Sequence, residues 1–250
     1  MNSLEQRKVI EINHGKKIIN GAECFWWWDT PAGKMRAERR KKMIFDSLAL
    51  NSGPGKKCLE LGCGTGNFTE YFADKGAKIT AVDISPDLLE KAKKKIGNKK
   101  NVEFKTADIH NLPFENNTFD YIFGVSVIHH LDLPTAFKEI SRVLKENGTV
   151  VFSEPNMLNP QMFIQKNVLF IKRLMGDTIT ETAFYKWKIK GILRKFGFEE
   201  IEVFPFDFLH PSIPSFLCNF FSRFGLILEK IPVLREFAGS LFISAKLKKR

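Results

Sequence analysis

The order of apolar and polar segments in this chain predicts an α/β fold, a doubly wound, seven-stranded sheet covered on both faces by helices in three layers. Three observations carry that reading. An apolar strand runs into a glycine-rich turn that opens a helix, in Leu59-Glu60-Leu61-Gly62-Cys63-Gly64-Thr65-Gly66. Strand and helix signals then alternate down the chain. Phe119 to Val127 is a nearly continuous apolar run, suited to burial on both faces.

Each element has its own local signal. Thr30 caps a helix that Pro31 opens. Lys57 to Leu61 reads as the first strand and Asn67 to Asp74 as the helix after the turn. Lys78 to Ile84 is a second strand carrying Asp83 at its end, and Pro86 starts a helix striped by Leu88, Leu89, Ala92 and Ile96. Val102 to Ala107 is a third strand, ending at Asp108. After the fourth, Phe119 to Val127, come a helix over Pro134 to Leu144, a turn at Glu146-Asn147-Gly148 and a fifth strand over Thr149 to Ser153. Thr182 to Phe196 is a helix closed by Gly197, Glu200 to Phe206 a sixth strand, and Phe242 to Leu247 a seventh.

The turn at Gly62, Gly64 and Gly66 reads as a nucleotide-cofactor loop. Glycine takes positive φ and lets a ligand approach the main chain, and a helix N-terminus offers unpaired N–H groups. A side chain at Gly64 would occupy the ligand's space. The dinucleotide fingerprint is G-x-G-x-x-G; here the third glycine comes one residue early, and Glu60 precedes the loop. Asp83 stands 21 residues after Gly62, where an acid at a strand end accepts ribose hydroxyls.

These residues resemble motif I of the class I S-adenosylmethionine (SAM) dependent methyltransferases. Leu112-Pro113-Phe114, Phe119-Asp120 and Val127-Ile128-His129-His130-Leu131 are similar to segments of the ubiquinone-biosynthesis-like, type 11 group, as is Leu144-Lys145-Glu146-Asn147-Gly148-Thr149. The resemblance implies a Rossmann-like, mostly parallel sheet whose last strand is antiparallel. It implies SAM as cofactor, with Glu60, Gly62, Gly64 and Gly66 on the amino-acid moiety, Asp83 on the ribose and Asp108 at the adenine amino group. Ile84 would pack on the adenine, and Cys63, Ile109 and Ser126 join the cofactor set. No metal is implied.

SAM needs little help to transfer its methyl once the nucleophile is in line, and a base is required only where the acceptor loses a proton. His130 and His129 are the base candidates, His130 preferred. The alternative is that one histidine packs or caps while the other faces solvent. Absence of an Asp/Asn-Pro-Pro-aromatic element and of a Pro-Cys nucleophile speaks against nucleic-acid bases as acceptors. A small-molecule or lipid-linked acceptor remains, such as a quinone precursor or a membrane-carried glycan intermediate. Trp27, Trp28 and Arg36 are candidate acceptor contacts, the tryptophans as a lid or wall, or merely as packing. Arg36, Arg39 and Arg40 would lie over the cofactor mouth, where one could meet the SAM carboxylate.

With 250 residues, 44% hydrophobic and 27% charged, the chain is globular and long enough for a sizeable core. We expect an N-terminal helical lid over residues 1–45, then a methyltransferase domain over 46–250 with insertions at 156–181 and 207–240. The start lacks the apolar core of a signal peptide, and four cysteines without paired spacing fit reduced thiols, so a cytoplasmic location is expected. The net charge of +11 favours an anionic partner. Residues 208–228 hold one formal charge, Arg223, and many apolar residues. With the basic tail they suggest peripheral membrane contact through a face of Leu217, Phe220, Phe221, Phe224 and Leu228, or else packing on the domain or in a homo-oligomer. Rival readings are an RNA methyltransferase, a non-catalytic SAM-binding module and, least favoured by the early glycine, a dehydrogenase.

Overall fold

The computed structural model describes residues 3–48 and 55–248. Three helices open the chain: α1 (Ser3–Ile18), α2 (Ala22–Phe25) and α3 (Pro31–Ser47), the last capped by Thr30 Oγ1, which accepts from Gly33 N at 3.0 Å. The sheet-forming part follows as β1 (Lys57–Leu61), α4 (Asn67–Asp74), β2 (Lys78–Asp83), α5 (Pro86–Ile96), β3 (Val102–Thr106), β4 (Phe119–Val125), α6 (Leu133–Val143) and β5 (Leu144–Pro155). Then come α7 (Pro160–Asn167), α8 (Leu169–Leu174), α9 (Lys186–Lys195), β6 (Phe198–Phe206), α10 (Ser215–Leu228), α11 (Pro232–Arg235) and β7 (Ser240–Leu247).

The seven strands lie in the order β3-β2-β1-β4-β5-β7-β6, with β7 antiparallel to both neighbours and the other pairings parallel. Period-two alternation assigns each strand's side chains to two cores. Leu59, Leu61, Val150 and Phe152 point towards α6 and α9, where Phe137, Ile140 and Leu193 meet them. Cys58, Phe123 and Val151 point the other way, onto Ile44 and Phe45 of α3 and Phe72 of α4. The result is a three-layer αβα sandwich, and because β1 to β5 run parallel, their carboxyl ends open on one edge of it.

Three boundaries differ from the sequence reading for local reasons. The helix expected over Thr182 to Phe196 starts only at Lys186, because Phe184 is held extended beside the end of β5: Phe184 N donates to Pro155 O at 3.0 Å and Met157 N to Phe184 O at 2.9 Å. The Glu146–Gly148 turn is a bulge inside β5, between the pairs Phe119↔Leu144 and Tyr121↔Thr149, with Asn147 at φ 60°. β6 starts two residues early and bulges at Glu200, whose φ is 49°.

The arginines of α3 are also placed differently from expectation. Arg40 is 2% exposed, and its Nη2 lies 2.6 Å from Asp207 Oδ2 and donates to Ser240 Oγ at 2.7 Å; Arg36 Nε lies 2.7 Å from the same carboxylate oxygen. Arg39 makes a two-pronged contact with Glu229, at 2.7 and 2.5 Å. All three therefore fasten α3 to the chain that follows β6, and none stands over the cleft mouth. Burial drags the Arg40 guanidinium down to about 10, while Asp207 is held far below the usual carboxylate range: burial opposes that, and Arg40 and Arg36 overcome it. Breaking a buried pair by deleting one partner leaves an uncompensated charge, typically at a cost of about 3–5 kcal/mol. Asp207→Ala is expected to lower unfolding free energy in urea by that order, whereas Glu90→Ala, which removes an exposed pair with Lys93, leaves it nearly unchanged.

Candidate active site

The carboxyl ends of β1 to β4 surround a cavity of about 270 Å³. Its floor begins at the glycine turn, where Gly62, Gly64 and Gly66 all have positive φ, at 65°, 53° and 79°. A side chain at each would also crowd a neighbour. A Cβ would come within 2.4 Å of Val127 Cγ2 at Gly62, 3.0 Å of the Trp26 ring at Gly64 and 3.1 Å of Ala92 Cβ at Gly66. The space at Gly64 that the sequence reading reserves for a ligand is thus shared with an aromatic ring. Gly66 faces α5 rather than the cavity.

Two acids stand along the wall. Asp83 accepts from Gly64 N through Oδ2 at 2.8 Å and from Ser85 N through Oδ1 at 2.9 Å, which ties the glycine turn to the end of β2. Burial raises its pKa, and those main-chain donors limit the rise. Asp108 accepts from His110 N at 2.9 Å through Oδ1, the atom that also faces His110 Nδ1 at 2.8 Å. His110 Nε2 accepts from Asp132 N at 3.0 Å, so the ring proton sits on Nδ1 and points at Asp108. Burial works against ionisation of Asp108, yet His110 brings its pKa below the ordinary value. Asp108 borders the cavity, and its Oδ2 has no hydrogen-bond partner among the described residues.

The end of β4 supplies the third side. Ser126 takes φ 52°, and the next two N–H groups, of Val127 and Ile128, donate to Glu154 Oε1 at 2.9 and 3.0 Å. The other oxygen of Glu154 lies 2.7 Å from His129 Nδ1. Clamped in this way, His129 is buried outside the cavity, and burial lowers its pKa. His130 borders the cavity, its Nδ1 3.0 Å from Glu11 Oε2 and 3.9 Å from Glu181 Oε1. Burial alone would depress the His130 pKa, but Glu11, with Glu181 and Glu154 behind it, carries the net above the ordinary imidazole value. His129, His130 and Glu181 bring ligand atoms within 4.8 Å of one another, and the Lys166 ammonium, 2.9 Å from Glu181 Oε2, already balances that carboxylate.

The roof is α1. Arg7, Glu11, His14 and Ile18 recur at spacings of four, three and four residues, one helical face, and all border the cavity. Arg7 Nη1 donates to His130 O at 3.0 Å. Trp26 and Trp28 close the adjoining side, Trp28 edge-on to Phe68. A helical lid over residues 1–45 and a tryptophan wall are expected from sequence, but Arg7, Glu11, His14 and Ile18 are not singled out there; their only signal is that spacing, carried by charged residues that also suit a solvated face.

The remaining expected residues divide plainly. Gly62, Cys63, Gly64, Asp83, Ile84, Asp108, Ile109, Ser126, His130 and Trp28 border the cavity. Five do not. Glu60 lies behind the turn, accepting from Thr69 Oγ1 at 2.6 Å, so it fixes α4 rather than facing a ligand. Gly66 and His129 are placed as above. Trp27 is flipped outward by a φ of 61° and is 40% exposed, because Thr30 and Gly33 pack on its carbonyl. Arg36 is engaged with Asp207.

A sheet of this order with a glycine turn after β1 and acids ending β2 and β3 defines a class I SAM-dependent methyltransferase. A model of the methyltransferase domain matches residues 59–152. A demethylmenaquinone methyltransferase of Staphylococcus aureus is 31% identical over 187 residues, 71% of this chain and 76% of the relative. One from Staphylococcus epidermidis is 32% identical over 175 residues, 62% and 72% of the two chains. The fold is shared with a Thermotoga maritima SAM-dependent methyltransferase, described as a possible histamine N-methyltransferase (TM-score 0.61, 20% identity, 94% and 99% covered). It is also shared with a Haemonchus contortus phosphoethanolamine methyltransferase bound to S-adenosylhomocysteine (TM-score 0.60, 20% identity, 84% and 53% covered). The chain belongs to the SAM-dependent methyltransferases, within the type 11 group.

Two titrations follow. Glu11→Gln removes the carboxylate that offsets burial, so the His130 imidazole pKa, followed by NMR, is expected to move down from its raised value. Burial pushes Glu60 up to about 8, against 4.5 for the free side chain. The folded state then holds a proton that the unfolded chain releases, so this residue's contribution to stability falls as pH rises from 4.5 through 8. Glu60→Gln should remove about 5 kcal/mol of that dependence, seen by comparing melting temperatures of both proteins at acid and alkaline pH.

Proposed function

We propose that this enzyme methylates a quinone-type, lipid-soluble small molecule, the acceptor class for which its demethylmenaquinone methyltransferase relatives are named. The observation that carries the reading is the meeting of Asp83, Asp108, the glycine turn and His130 around one cavity. SAM supplies, when bound, a methyl group on a positively charged sulfur. The residues present fit it: main chain approachable at Gly62 and Gly64, a buried acid for hydroxyls at Asp83, and an acid with an unengaged oxygen at Asp108. Ile84 and Ile109 give apolar walls beside those acids, and Cys63 and Ser126 border the same space. Glu60 holds the turn through Thr69.

His130 is the base in this reading. Methylation of a hydrogen-bearing carbon of a hydroxylated ring, where the C–H bond breaks as the C–CH3 bond forms, or of a hydroxyl oxygen sheds one proton, and the imidazole at the cavity wall accepts it. Glu11 then faces the imidazolium at ion-pair distance and stabilises it, while Arg7, bonded to the His130 carbonyl, fixes the main chain. Because this base must be neutral, activity should rise with pH through the raised His130 pKa, and in Glu11→Gln that limb should shift to lower pH. Residues 1–45 act here as a cap, since α1, Trp26 and Trp28 cover the cavity.

Calorimetric titration with S-adenosylhomocysteine tests the cofactor half. Asp108→Asn is expected to weaken binding by about tenfold, the worth of a hydrogen bond to a charged group. His130→Gln should leave that affinity unchanged and lower kcat on a demethylated quinol by about 10²–10⁴-fold. Wild-type protein that melts cooperatively and binds no S-adenosylhomocysteine would sink the proposal.

A further inference from the structure

The insertions at 156–181 and 207–239 follow β5 and β6, whose last residues, Pro155 and Phe206, both pair with Ser240. They therefore leave from one end of the sheet, and they are tied together there. Asn156 Nδ2 donates to Glu236 O and Ala238 O, and Asn159 Nδ2, at the start of α7, to Phe237 O, each at 2.8 Å. The inner side of α10 packs through Cys218, Phe221 and Gly225. The outer sides are apolar: Phe170, Leu174, Phe216, Phe220 and Val233 are between 63% and 81% exposed. Single exposed apolar residues are ordinary, but a cluster on linked helices is a contact surface.

Charge decides what that surface meets. Every acid in the two insertions is turned inward: Asp177 and Glu181 hold Lys166, Asp207 holds Arg36 and Arg40, Glu229 holds Arg39, and Glu236 holds Lys186. Arg173, Arg223 and Lys230 are exposed and, among the described residues, face no acid. A second copy of the chain packed about a twofold axis would set these cations against one another with no carboxylate between them. An anionic bilayer supplies both an apolar phase and the missing counter-charge. No helix among the described residues is long and apolar enough to cross a membrane, so the contact is with one leaflet.

We propose that the face formed by α10 and α11 docks on an anionic phospholipid surface, with Phe216, Phe220 and Val233 at the acyl boundary and Arg223 and Lys230 at the phosphates. This corrects the face expected from sequence, since Leu217, Phe221 and Leu228 are half-buried. Lys246, at the start of the basic tail, is not part of it. β7 runs antiparallel, so Lys246 comes opposite Thr149 at the far end of β5 and bonds Glu200; Lys249 and Arg250 lie outside the described residues.

The test is co-sedimentation of the full chain with phosphatidylcholine vesicles, with and without phosphatidylglycerol. The wild type should bind the anionic vesicles, and Phe216→Ser/Phe220→Ser should abolish pelleting without altering the melting temperature. Arg223→Gln/Lys230→Gln should weaken binding roughly 25-fold, at about fivefold per charge, while Lys246→Gln/Lys248→Gln behaves as wild type. Failure of the wild type to pellet, equal loss in the tail variant, or a dimer in light scattering that the phenylalanine substitutions dissolve would overturn the proposal. None of these outcomes depends on the acceptor.

Discussion

The carboxylate of Glu154, 1% exposed at the end of β5, takes two main-chain N–H groups and one imidazole from the segment that follows β4. A buried carboxylate is tolerated only when its oxygens are matched by donors, and here the matching has a geometric result. The chain leaving β4 cannot continue as a strand; it must turn at Ser126 and present consecutive histidines to opposite environments. His129 serves the carboxylate, and His130 is delivered to the cavity. Cooperation between two neighbouring strand ends thus precedes any chemistry at the site.

The parallel part of the fold is legible because each strand announces itself by an apolar run and a following turn residue. Local signals suffice where the partner is local, as at Thr30, Pro86 and the glycine turn. They fail where a distant segment intervenes. The first turn of the expected helix at Thr182 is pulled straight by Pro155 and Met157, and α3 turns its arginines to Asp207, 171 residues from Arg36. The same logic divides the site. Asp83 and Asp108 follow from strand order, because the carboxyl ends of parallel strands must assemble on one edge. Glu11 and Arg7 come from a helix whose one periodic face is carried by charged residues and so reads equally as solvated, and Trp26 lines the cavity where Trp27, at positive φ, does not.

Electrostatics in this protein is organised by depth. Its formal charge of +11 is expressed at the surface, whereas the interior keeps acids and bases in near balance: Asp207 between two arginines, Glu181 between Lys166 and the histidines, Glu11 beside His130. Such clusters are costly to assemble in place of apolar packing. Their return is directional, since each one fixes an insertion or the N-terminal helix to the sheet at a defined register. The acids consumed in this way are absent from the outer faces, and because bases are consumed with them the excess of +11 is left to the surface.

The antiparallel course of β7 has a practical corollary. The strand starts beside the cleft edge and carries the chain about 26 Å towards the opposite edge before it ends, at roughly 3.3 Å per residue over eight residues. α1, by contrast, lies across the cavity itself. A reporter or affinity handle joined behind β7 would hang clear of the reaction chamber, while the same handle joined ahead of α1 would emerge beside its roof and load the helix that carries Glu11. The positions just ahead of α1 and just behind β7 are therefore not equivalent places from which to immobilise or label this enzyme.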